Sequence, residues 1–99
     1  MRRKAHLDAN HQAIADALVE RGARVVSLAG NGKGIPDLLV GWRGVNVLME
    51  VKRPNYRVTR GKNEKQTRQD QEAWALKWTG QYTIVTSADE AIAYLEQHK

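Results

Sequence analysis

The stretch that most constrains the fold is residues 34–52, GIPDLLVGWRGVNVLMEVK. Two apolar runs, Asp37 to Trp42 and Val45 to Arg53, flank an Arg43-Gly44 pair and predict two antiparallel strands joined by a tight turn. A symmetric turn sets the register: Trp42 faces Val45, Leu39 faces Leu48, and Asp37 faces Glu50. Opposed residues have Cβ atoms about 4.5–5.5 Å apart on one face of the sheet, where like charges repel. Lys52, two residues beyond Glu50, points to the same face. The most hydrophobic part of the chain therefore ends in two carboxylates and an ammonium held together.

Elements on either side of the hairpin follow from periodicity. Asp8 to Arg21 reads as a helix with Ile14, Ala17, Leu18 and His11 on one face, stopped by Gly22. Arg24 to Leu28 is a short β-rich run that leads into a glycine-rich loop, Ala29 to Gly34. After Pro54, the polar stretch Asn55 to Gln66 reads as a loop, and a helix is expected from about Thr67 to Thr79. Trp74 and Trp78, one turn apart in that helix, are expected in the core. Gln81 to Thr86 predicts a strand. Ser87 and Glu90 form a capping box opening a last helix to about Gln97, packed through Ala91, Ile92 and Leu95. The order is αβββαβα, a single domain over residues 1–99 with no repeat and no linker.

A facing pair of carboxylates at the margin of an apolar sheet is costly unless something neutralises it. A divalent cation does this well, and hard oxygen ligands suit Mg²⁺ or Mn²⁺. Asp37 and Glu50 would be ligands, the Val51 carbonyl between them a third, and Lys52 would orient water or stabilise charge on phosphate. The plainer alternative is a Glu50–Lys52 ladder contact, with Asp37 as a turn residue after Pro36. With no cysteine in the chain, disulfides and thiolate metal sites are ruled out, and His6, His11 and His98 lack zinc spacing.

The net charge of +5 favours a polyanionic partner. Seven Lys or Arg residues fall between Lys52 and Arg68. From this segment Arg53, Tyr56, Arg57, Arg60 and Lys62 are candidate nucleic-acid contacts, with Tyr56 offering a ring for base stacking. Lys33, in the glycine-rich loop, is a further candidate for phosphate. That loop is not a nucleotide-binding loop: Pro36-Asp37 follows it rather than Lys-Ser/Thr and a helix. No apolar run approaches a membrane span of about 20 residues, and Met1-Arg-Arg-Lys4 has no apolar signal segment behind it. The expectation is a cytoplasmic protein with no membrane partner.

Pro36-Asp37 followed by Glu50-Val51-Lys52 resembles the signature of the PD-(D/E)XK nucleases, whose core order is also αβββαβα, a central mixed sheet flanked by helices. Asp8-Ala9-Asn10, Gly34-Ile-Pro-Asp-Leu-Leu39, Glu50-Val51-Lys52 and Gln71-Glu-Ala-Trp74 resemble the motifs of the stand-alone, phage-type VRR-NUC domains of that superfamily. The resemblance implies metal-dependent hydrolysis of phosphodiester bonds in DNA, in a bacterial or phage-infected host cell. It makes Gln71 an active-site residue, although by its position alone Gln71 reads as a polar residue on an exposed helix face. It maps the family's first-helix acidic ligand onto Asp8, which would serve equally as a helix N-cap.

A single core carries one site and makes one cut. Processing both strands symmetrically needs a two-fold pair, so a homodimer cutting branched, four-way-junction DNA is the expected assembly. The alternatives are a non-catalytic basic DNA-binding module on the same fold, or a protein-interaction domain built on an inactivated nuclease. The intact Asp37, Glu50 and Lys52 set argues against both, since a binding module has no use for anions facing a polyanion.

Overall fold

A computed structural model describes residues 9–54 and 62–98, the first six of the second stretch by their backbone alone. The elements are α1 (Ala9–Glu20), β1 (Arg24–Ser27), β2 (Leu38–Trp42), β3 (Val45–Val51), α2 (Lys62–Lys77), β4 (Gln81–Val85) and α3 (Ala88–Gln97). Their order is αβββαβα. The four strands form one sheet in the order β1-β2-β3-β4, antiparallel across β1, β2 and β3 and parallel between β3 and β4. The central mixed sheet is flanked by helices, as expected.

The hairpin has the expected register. Trp42 pairs with Val45, Leu39 with Leu48 and Leu38 with Met49. Arg43 and Gly44 both take positive φ, 48° and 84°, the requirement of a type I′ turn. Such a turn twists with its strands, so the register is held from the tip, where the Arg43 guanidinium lies 4.6 Å from the Trp42 ring centroid.

Alternation along the strands divides the side chains between two faces. Leu38, Val40, Trp42, Val47 and Met49 share one face, where they are buried with Ile14, Leu18, Ala91 and Leu95 from α1 and α3. Truncating a fully buried member such as Ile14 or Leu95 to Ala should cost about 2–5 kcal/mol, measurable by denaturant titration. Glu50 falls on the opposite face, which α2 covers. The sheet therefore separates a hydrophobic core from a polar site.

Several boundaries differ from expectation. The helix expected from about Thr67 instead starts at Lys62 and ends at Lys77. Its extra first turn, Lys62 to Gln66, has no apolar face to reveal it but is rich in Lys, Glu and Gln, which propagate helix well. The expected loop from Asn55 to Gln66 is therefore partly helix, and its first part lies outside the described residues. Asp37 precedes β2 by one residue, yet its carbonyl accepts the Leu28 amide at 2.7 Å, so the ladder continues to it. β3 ends at Val51, although the Lys52 amide still reaches the Val85 carbonyl at 3.0 Å.

Trp74 and Trp78 are not core residues. They stack on each other with ring centroids 5.1 Å apart, Trp74 half-buried and Trp78 41% exposed. Trp74 lies on α2 and Trp78 just past its end, on the side of the sheet away from the main core, where Trp74 leans on Tyr82.

At the start of α3 the Ser87 hydroxyl accepts the Glu90 amide at 3.1 Å. Glu90 reaches back one residue further than a capping box requires and takes the Thr86 amide at 2.7 Å. That contact fixes the end of β4, beside the site.

Candidate active site

Glu50 is 3% exposed, the most deeply buried charged side chain among the described residues. It stands on the α2-facing side of β3, and α2 supplies Gln71 to meet it. The Gln71 amide donates to Glu50 Oε2 at 2.8 Å, while Gln71 Oε1 accepts from Lys52 Nζ at 2.5 Å. Lys52 Nζ itself lies 3.7 Å from Glu50 Oε2. Gln71 thus bridges the carboxyl and the ammonium, using its donor for one and its acceptor for the other.

Asp37 enters from the end of β2. Its Oδ2 accepts the Val51 amide at 2.9 Å, which brings its carboxyl against the end of β3. The amide and carbonyl of one strand residue project to the same side, so the Val51 carbonyl turns toward Asp37 as well. Asp37 and Glu50 are close enough to interact strongly. Burial, first, and then the nearby Asp37 push the Glu50 carboxyl from its ordinary 4.5 up to about 8, while Lys52 opposes the shift. The fold therefore holds Glu50 where an anion is poorly tolerated.

Asn10, which the sequence marked as the last residue of the Asp8-Ala9-Asn10 motif without giving it a role, ties the site to α1. Its amide donates to the Lys52 carbonyl at 2.9 Å and to the Thr86 carbonyl at 3.2 Å. It clamps the ends of β3 and β4 together and fixes the backbone from which Lys52 departs. These partners are 42 and 76 residues away in sequence, so no local pattern could reveal them.

The structure thus brings Asp37, Glu50, Val51, Lys52 and Gln71 together. Lys33 and Arg53 are both exposed, as a phosphate contact requires. Asp8, Tyr56, Arg57 and Arg60 lie outside the described residues, and Lys62 is described only as the first backbone residue of α2. Among the described residues no three His, Cys, Asp or Glu side chains gather into a metal-binding group, so the acidic cluster here is the pair Asp37 and Glu50. No helix among the described residues is long and apolar enough to cross a membrane.

The layers define an α/β architecture, a four-stranded mixed sheet flanked by helices, with Asp37, Glu50, Lys52 and Gln71 grouped where α2 meets β3. A solved structure described as a VRR_NUC domain matches with a TM-score of 0.56 and 24% sequence identity, over 93% of this chain and 100% of that one. The fold is that of a VRR-NUC domain. No family model matches the chain, and no curated protein matches its sequence.

Proposed function

We propose that this protein is a divalent-metal-dependent endodeoxyribonuclease, and one observation carries the reading. Asp37 lies close enough to Glu50 to act on it, with Glu50 buried and its carboxyl pushed up to about 8. A fold maintains such a cost where a cation relieves it. The donors are all oxygens, from two carboxylates and the Val51 carbonyl, and they fit Mg²⁺ or Mn²⁺ rather than a softer metal. Asp8 would add a carboxylate if it reaches the site. When bound, the cation supplies positive charge against the phosphodiester and against the charge that develops as the bond breaks.

The chain's own groups do the rest. Lys52, held by Gln71, presents an ammonium that orients an attacking water and stabilises negative charge on the phosphate. Gln71 keeps Lys52 from collapsing onto Glu50, since its Oε1 accepts a hydrogen bond from Lys52 Nζ at 2.5 Å while Nζ stays 3.7 Å from Glu50 Oε2. Asp37, anchored by the Val51 amide, holds its carboxylate in one orientation. Lys33, Arg53, Tyr56, Arg57, Arg60 and Lys62 would follow the DNA backbone on either side.

The test is direct. Labelled duplex, flap and four-way-junction DNA are incubated with the protein and Mg²⁺, Mn²⁺ or EDTA. Cutting with either metal and none in EDTA is expected; cutting that survives EDTA would remove the metal from the mechanism, and no cutting of any substrate would leave the DNA-binding module as the better reading.

The finer proposal is a homodimer that nicks four-way junctions in pairs, because one core carries one site. Leu76, 87% exposed near the end of α2, and Trp78, 41% exposed just past it, are apolar side chains of the kind a second subunit covers. Light scattering should report twice 11.2 kDa. A monomer that prefers flaps would redirect the activity to a different substrate.

DNA affinity should fall steeply with salt. Each phosphate contact contributes about −0.9 to the log–log slope on duplex DNA. Neutralising Lys33 and Arg53 together should make the slope shallower by about 2, measured by fluorescence anisotropy across a salt series. An unchanged slope would show that neither contacts the backbone.

A further inference from the structure

The glycine-rich loop before Pro36 has a role that the proposed chemistry leaves unexplained. Gly34 has φ 81°, and its backbone lies directly on α2. A Cβ there would stand 2.2 Å from the Asp70 carbonyl oxygen and 2.8 Å from the Gln71 backbone nitrogen. Both neighbours are helix backbone, which cannot rotate aside as a side chain can. Gly30, Gly32 and Gly44 also take positive φ, but a Cβ at any of them would meet nothing within 4 Å. Two independent demands, left-handed backbone and close approach, therefore coincide at Gly34, and what it touches is the Asp70–Gln71 peptide.

We propose that Gly34 is the positioning residue for Gln71. It provides the seat on which α2 settles so that the Gln71 side chain reaches both Glu50 and Lys52. The inference rests on the nuclease reading for its consequence in catalysis, but not for the placement itself. Three residues after this seat the same segment delivers Asp37, so one short stretch, Gly34 to Asp37, sets both the carboxylate and the glutamine. A side chain at position 34 would lift α2 at Asp70–Gln71 and withdraw the amide. A displacement of about 1 Å in a catalytic array can cost about 10²-fold in rate.

Gly34→Ala, Gly32→Ala and Gln71→Ala test this. Gly32→Ala is the control, since it shares the loop and the positive φ (66°) without the contact. In the metal-free, ¹⁵N-labelled protein the Gln71 side-chain amide pair is identified by its loss in Gln71→Ala. In Gly34→Ala that pair should move to the position of a solvent-exposed glutamine, and kcat should fall about 10²-fold. The Gly34→Ala/Gln71→Ala double variant should cut no more slowly than Gln71→Ala alone. Gly32→Ala should retain both the amide pair and the rate.

A wild-type amide pair with a wild-type rate in Gly34→Ala would overturn the proposal. If Gly34→Ala does not fold, the contact is read in the wild-type protein as a nuclear Overhauser effect between Gly34 Hα and the Gln71 backbone amide. Its presence supports the seat, and its absence overturns it. A wild-type protein that cuts no DNA would defeat the nuclease reading alone, because the amide shift and the Overhauser effect still decide the placement.

Discussion

Asp37→Asn, Glu50→Gln and Lys52→Ala are each expected to lower metal-dependent DNA cleavage by about 10³-fold or more, and to differ from one another in stability. The two carboxyl substitutions should raise the melting temperature of the metal-free protein at pH 8. Asp37→Asn removes the charge that raises Glu50, while its amide oxygen can still accept the Val51 amide and its new N–H can face Glu50. Glu50→Gln removes the buried acid itself. Lys52→Ala should do the opposite, because Lys52 is the group that favours the Glu50 anion. A residue kept only for folding would lose activity and stability together. Melting curves paired with cleavage rates separate the cases, and near-wild-type cutting by any one variant would take that residue out of the chemistry.

What the sequence disclosed was whatever repeats with a local period. The hairpin register was legible because a two-residue alternation and an Arg43-Gly44 turn leave one solution. That register alone set Asp37 beside Glu50. α1 and α3 were legible from their apolar stripes. The start of α2 was not, since Lys62 to Gln66 form helix by propensity with no stripe to show it. Trp74 and Trp78 misled for a different reason: a large aromatic pair one turn apart suggests a core, but the pair stacks on the side of the sheet away from the main core, where Leu39 and Ile84 are also left exposed. Gln71 could be named from its motif, yet its double contact, with Glu50 and Lys52 at once, depends on how α2 folds back across the sheet. Asn10 and Gly34 stood in motifs, but their roles were illegible because what they touch is far away in sequence and all backbone.

The metal-free protein should lose stability as pH rises from about 4.5 to about 8, and a divalent cation should reverse most of that loss. The direction follows from Glu50, whose carboxyl titrates at about 8 in the fold against an ordinary 4.5. Between those values the folded chain binds a proton that the unfolded chain has released, so the slope of unfolding free energy with pH is negative. The contribution is complete below 4.5 and is lost as pH climbs through 8. At 1.36 kcal/mol per pH unit, the loss has a ceiling of about 5 kcal/mol, a large share of the stability of so small a domain. Other groups titrate over the same range, so the observable is the difference between wild-type and Glu50→Gln, whose curve should be flatter and should cross above wild-type near the top of the window. Mg²⁺ or Mn²⁺ favours the ionised carboxyl and should raise the melting temperature more at pH 8 than at pH 5. At 100 times its dissociation constant, a cation that binds only the folded chain adds about 2.7 kcal/mol. A wild-type curve parallel to that of Glu50→Gln would show that Glu50 titrates normally. A cation shift equal at both pH values, or retained in Glu50→Gln, would place the metal elsewhere on the protein.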